Sequence, residues 1–142
     1  MNELVDIKFY NQIKKILESA RGQVYKATNA TMVMAYWQIG KNIVEQQGGD
    51  ERADYGARLI SELSKRLTAD FGKGFDERNL RNMRAFYLAF PNWNTVCTEL
   101  TWSHYRTVLR VENADARNWY IQEASSEGWS VRQLDRQIST LY

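Results

Sequence analysis

The chain is poor in the residues that staple, ligate or break: its 142 residues include one Cys, one His and one Pro. The lone Cys97 excludes a disulfide framework and a thiolate zinc site, and it fits a reducing compartment. The lone His104 excludes a histidine metal cluster and leaves no support for a Ser-His-Asp arrangement. With 8 Gly and 1 Pro, turn chemistry is scarce and the class leans towards helix. No run approaches about 18 consecutive apolar residues, and the opening MNELVDIKFYNQIKK has no apolar signal-type stretch. The expectation is a soluble cytoplasmic protein with no membrane contact. FGKGF (71–75) lacks the spacing of a phosphate loop. A metal-dependent nuclease needs an acid on one strand and an acid-x-Lys on its neighbour. The sole acid-x-Lys, Asp6-Ile7-Lys8, opens a helix with no acid on a strand before it. The chain by itself is therefore expected to be no enzyme, with no metal and no cofactor.

What is present is an ordinary globular composition, 44% apolar and 25% charged, in a length that suits one domain over 1–142. A domain this long buries roughly two-thirds of its unfolded surface without staples. Apolar residues at Ile13, Ile16, Leu17, Ala20, Val24, Ala27 and Thr31 recur every three or four positions, predicting a long helix across 1–47. Its second half, apolar on more than one side, reads as the central strut, and the polar Thr28-Asn29 marks a kink. A second helix is expected from Asp54 to Phe71 with Leu59, Ile60, Leu63 and Leu67 inward, and a third from an Asp76 cap to Pro91. A fourth starts near Ser103, a fifth covers Asp115 to Ser126, and a Ser130–Gln133 capping box opens the last, 131–141. The expected fold is thus all-α, with about six helices. In it a long N-terminal helix packs on helix-turn-helix, winged-helix-like units at 54–91 and 115–141. Trp37, Trp102, Trp119 and Trp129 are expected in the core, with Trp93 and Tyr142 exposed.

The net charge is only +2, but its distribution is uneven. Three Arg and no acid lie between Arg78 and Asn94, and two Arg and no acid between Tyr105 and Val111. A local basic face on a near-neutral protein points to docking on a polyanion. In the 115–141 unit, Ala124 and Gly128 have the spacing of a helix-turn-helix crossing. Arg132, Gln133, Arg136 and Thr140 then share the face opposite Val131, Leu134, Ile138 and Leu141. In the 54–91 unit, Arg78, Arg81, Asn82 and Ala85 cluster opposite Leu80, Met83, Tyr87 and Phe90, with Arg84 at the border. Arg reaches phosphates and guanine edges; Asn and Gln reach adenine edges.

The blocks YWQIGKNIVEQQ (36–47), YGARLISELSKRLTADFGKGFDERNLRNMRAFYLAFP (55–91) and LTWSHYRTVLRVENADARNWYIQEASSEGWSVRQLDRQI (100–138), in this order, resemble the N-terminal domain of the YhcG family, also known as DUF1016. The resemblance implies a helical DNA-binding module that is followed, in longer relatives, by a C-terminal PD-(D/E)XK nuclease domain carrying the catalytic acids. This chain stops where the helical module would end. Asn79, Arg81, Arg84, His104, Arg106 and Arg132 fall in the family's characteristic stretches and are harder to explain as packing than Phe75, Leu80, Trp102 or Trp129. Asp76 stands where a Ser cap is expected, and both residues cap. The candidate nucleic-acid-binding set is therefore Arg78, Asn79, Arg81, Asn82, Arg84, His104, Arg106, Arg132, Gln133 and Arg136. The rival expectation is a dimerisation scaffold, in which the apolar stripe of residues 7–27 meets a second copy or the nuclease domain and that domain supplies the DNA affinity.

Overall fold

Helical spacing of apolar residues, with a cap or glycine at nearly every boundary, organises the chain, as a computed structural model describes it for residues 5–21, 29–48, 53–96 and 99–141. Seven α-helices follow in order: α1 (Ile7–Arg21), α2 (Asn29–Gln47), α3 (Ala53–Phe71), α4 (Glu77–Ala89), α5 (Trp102–Val108), α6 (Ala114–Glu127) and α7 (Val131–Leu141). A short 3-10 turn, Trp93–Thr95, sits between α4 and α5. The described residues contain no strand, so they show none of the β-ribbon that a winged helix carries.

The single helix expected over 1–47 is instead two helices packed against each other. Gln46 at the end of α2 donates to the Asp6 carboxylate just before α1, so the pair runs antiparallel. Of the polar pair expected to kink the helix, Asn29 is the first residue of α2; Val24, Ala27 and Thr28 lie outside the described residues. The reversal also alters the rival expectation. Phe9, Tyr10, Ile13 and Leu17 are buried inside the chain's own core, so the stripe on α1 is not open to a second copy.

Two cores share α2 and α4. One gathers Phe9, Tyr10 and Ile13 of α1, Ile39 and Ile43 of α2, Leu59, Ile60, Leu63 and Leu67 of α3, and Leu80 and Met83 of α4. The other joins Val33, Phe86 and Phe90 to Tyr105, Val108, Tyr120, Ile121, Ala124, Leu134 and Ile138. Trp102 packs against both. The strut role expected of α2 holds: it packs on α1, α4 and α5. Its contact with α4 is close enough that a Cβ on Gly40 would lie 2.0 Å from the Met83 carbonyl oxygen.

The boundaries follow local chemistry. Gly72 and Gly74 take φ of 82° and 106° in the turn between α3 and α4. Asp76 caps α4 by accepting from Asn79 N at 2.8 Å, and α4 ends at Ala89, short of Pro91. Gly128, at φ 64°, ends α6 in the left-handed region, and Ala124 is buried beneath it. The Ser130–Gln133 box forms as expected, with Ser130 N donating to Gln133 Oε1 at 2.8 Å and Gln133 N donating to Ser130 Oγ at 3.1 Å. The tryptophans depart from expectation in two places. Trp119 is 47% exposed on the outer face of α6. Trp93 is half-buried against Trp37, whose Nε1 donates to the Phe90 carbonyl. Cys97 and Tyr142 lie outside the described residues.

Candidate nucleic-acid interface

Because Leu80, Met83 and Phe86 point α4 into the core, the other side of that helix must carry Arg78, Asn82 and Ala85. The same logic on α5 buries His104, Tyr105 and Val108 and leaves Ser103, Arg106 and Thr107 on the opposite side. The two polar faces meet across a groove of about 780 Å³. Its walls include Arg78, Asn79 and Asn82 from α4, Ser103, Arg106 and Thr107 from α5, Arg110 just beyond α5, and Val131 at the start of α7.

Four of the ten candidate residues therefore converge: Arg78, Asn79, Asn82 and Arg106. Arg106 is steadied by a neutral partner, donating from Nη2 to Ser103 Oγ at 3.0 Å. Among the described residues, no carboxylate lies within ion-pair distance of Arg78 or Arg106. Asp76 is on the groove wall, but its Oδ1 is engaged by the backbone at the helix cap. Arg110 is the member that the sequence pattern does not single out. Ser103 and Thr107 are four apart on α5 and share one helix face, while Arg110 follows in the turn after the helix.

The remaining candidates divide by what they touch. Asn79 donates from Nδ2 to the Gly74 carbonyl at 2.6 Å and accepts from Trp102 Nε1 at 3.0 Å, so its side chain ties the turn to both cores. His104 is buried, and its ring serves two attachments. Nδ1 accepts from Thr101 N at 3.1 Å in a capping box, while Nε2 lies 2.8 Å from the Trp129 carbonyl. A carbonyl only accepts, so the proton sits on Nε2 and the ring pins the start of α5 to the α6–α7 turn. Gln133 is engaged in its capping box. Arg81 pairs loosely with Glu77 at 3.8 Å, both half-exposed. Arg84 turns away towards α2 and donates to Gln47 Oε1 at 3.3 Å. Burial first, and the charge of Arg81 second, lower its pKa from the ordinary guanidinium value. Arg132 and Arg136 are exposed on α7, beyond Val131 at the groove's edge.

The described residues hold no group of three or more His, Cys, Asp or Glu able to bind a metal ion. No helix among them is long and apolar enough to cross a membrane.

These features define an all-α domain with a polar, arginine-lined groove between two helices. The chain belongs to the DUF1016 N-terminal domain family, whose family model matches residues 12–142. It is 38% identical to the protein named "Putative nuclease YhcG" from Escherichia coli (strain K12), over 95% of this chain and 45% of that protein. The chain thus spans less than half the length of that relative. No solved structure matches it.

Proposed function

We propose that this domain is a non-catalytic targeting module that seats a DNA backbone in the α4–α5 groove. Hydrolysis would belong to a nuclease domain of the PD-(D/E)XK type that follows such modules in longer relatives. The observation that carries the reading is that three arginines, Arg78, Arg106 and Arg110, line one groove together with Ser103 and the amide of Asn82. Guanidinium forks match phosphate oxygens in pairs, and the Ser103 hydroxyl, which accepts from Arg106, keeps its own proton as a neutral donor of the kind that holds a sugar-phosphate chain in register, whereas the Thr107 hydroxyl is spent on the Ser103 carbonyl. Asn82 adds an amide able to donate and accept at once, the chemistry needed at an adenine edge. The site is a concavity, so it suits a strand entering the protein better than a helix projecting into a groove of the duplex. Arg81, Arg132 and Arg136, exposed beside it, extend the positive field along the approach.

The scaffold reading is the weaker one, because the α1 stripe on which it rests is internal core. Fluorescence anisotropy of the purified chain against labelled duplex, branched and single-stranded DNA tests the proposal. The expected result is salt-dependent binding that R106A weakens, with the log–log salt slope reduced by about one. Absence of binding to all three at low salt, or an R106A variant that binds with unchanged affinity and slope, overturns it.

A further inference from the structure

We propose that Asp135 is a specificity-determining residue of this groove: it holds Arg110 as a built-in counter-ion that a phosphate group must displace. The inference rests on the DNA-binding reading above and adds a residue that neither the sequence pattern nor the groove's lining singles out.

Arg110 follows the last turn of α5, and its guanidinium reaches across to α7. There one nitrogen, Nη2, lies 2.5 Å from Asp135 Oδ1, 3.2 Å from the Asp135 carbonyl oxygen and 3.3 Å from Ser139 Oγ. Three acceptors on one side of α7 thus converge on one end of the guanidinium, while the residue also lines the groove beside Arg106 and Thr107. Arg110 differs in this from its neighbours: Arg106 has only a serine hydroxyl. Asp135 and Arg110 are about half exposed, at 52% and 48%, so water and incoming anions reach the pair. An exposed ion pair is weak enough to exchange.

The consequence is a filter. A phosphate that satisfies only Arg110 gains little, because it replaces a carboxylate already in place and meets its repulsion. A backbone that also engages Arg78 and Arg106 gains two guanidinium groups held by no carboxylate, and can displace Asp135. Asp135 therefore imposes one displacement cost on every anion that takes Arg110, which a strand filling the groove offsets through Arg78 and Arg106 and an isolated phosphate does not.

The test is a double-mutant cycle on D135N and R110A, read by anisotropy with labelled single-stranded DNA across a salt series. Asn retains the main-chain carbonyl and a side-chain acceptor, so Arg110 keeps its place while the charge is removed. D135N is expected to bind about three- to ten-fold more tightly at low salt, with a log–log slope steeper by about one. In an R110A background the same substitution is expected to change affinity less than two-fold. S139A, which removes an acceptor without charge, is expected to stay within two-fold of the parent, and thermal melts check that each variant is folded. D135N that binds unchanged or more weakly overturns the inference. So does a gain that persists in the R110A background, which would mark a general charge effect. The groove reading fails separately: there R106A leaves binding unchanged, or no variant binds at all.

Discussion

The side-chain amide of Asn79 joins the turn before α4 to the indole of Trp102, donating to the Gly74 carbonyl at 2.6 Å and accepting from Trp102 Nε1 at 3.0 Å. A residue of the candidate nucleic-acid-binding set thus clamps the two cores together, on the wall of the groove with its amide engaged by the protein itself. Asn79→Ala leaves a half-buried indole N–H without its acceptor and is expected to cost about 1–3 kcal/mol of stability. Urea unfolding measures the loss. The folded variant should retain the salt slope of the parent, because no charge is lost.

Gly40 permits a close crossing of α2 and α4. A Cβ there would lie 2.0 Å from the Met83 carbonyl oxygen and 2.7 Å from its carbon, so α2 and α4 would have to separate. Gly40→Ala is expected to destabilise by about 2–4 kcal/mol, at or above the usual range for an overfilled core, because the clash is with backbone. Gly72→Ala is the comparison: nothing lies within 4 Å of its Cβ, and only its φ of 82° is penalised. That variant should lose about 1 kcal/mol. Equal losses for the two would contradict the close crossing.

Tyr10 makes alkaline stability informative. Burial, then the hydrogen bond to Asp70 and that carboxylate's charge, push its pKa up to about 12, against a smaller opposing effect of Arg66. A raised pKa means the folded state favours the neutral phenol. The stabilisation is complete below the unfolded value near 10 and is lost as pH rises from about 10 to 12. Unfolding in urea at pH 9 and pH 11 should show the parent losing on the order of 1–2 kcal/mol more than Y10F over this interval. A parent and variant that decline in parallel would refute the assignment.

The legible parts of this fold are those encoded locally. The Asp76 cap, the Ser130–Gln133 box, the glycine turns at 72–74 and 128, and the α3 stripe of Leu59, Ile60, Leu63 and Leu67 each form where residue chemistry within about one helical turn requires. The split of the first helix is less legible: a stripe with helical period continues across a reversal, since both arms face the same core. Trp119 shows a similar limit. It neighbours an apolar stripe in sequence, yet its own direction on α6 leaves it 47% exposed.

The site is legible as a charge pattern and not as an arrangement. Arg78, Asn82 and Arg106 stand out because acids are missing after Arg78 up to Asn94 and between Tyr105 and Val111. The roles of Asn79 and His104 depend on Gly74, Trp102 and Trp129, 5 to 25 residues away, and no local pattern reports those contacts. Arg110 belongs to an acid-free run, but nothing nearby in the sequence distinguishes it. Its partner, Asp135, arrives from a helix 25 residues later.

Binding of a nucleic-acid backbone in the α4–α5 groove is read from the salt dependence of DNA affinity for the parent and for an R78A/R106A/R110A variant. Each phosphate contact contributes about one unit to the slope of log affinity against log salt. The slope is expected to fall by about two to three units in the triple variant, with thermal stability little changed. A triple variant that binds DNA with the parent's affinity and slope would contradict it.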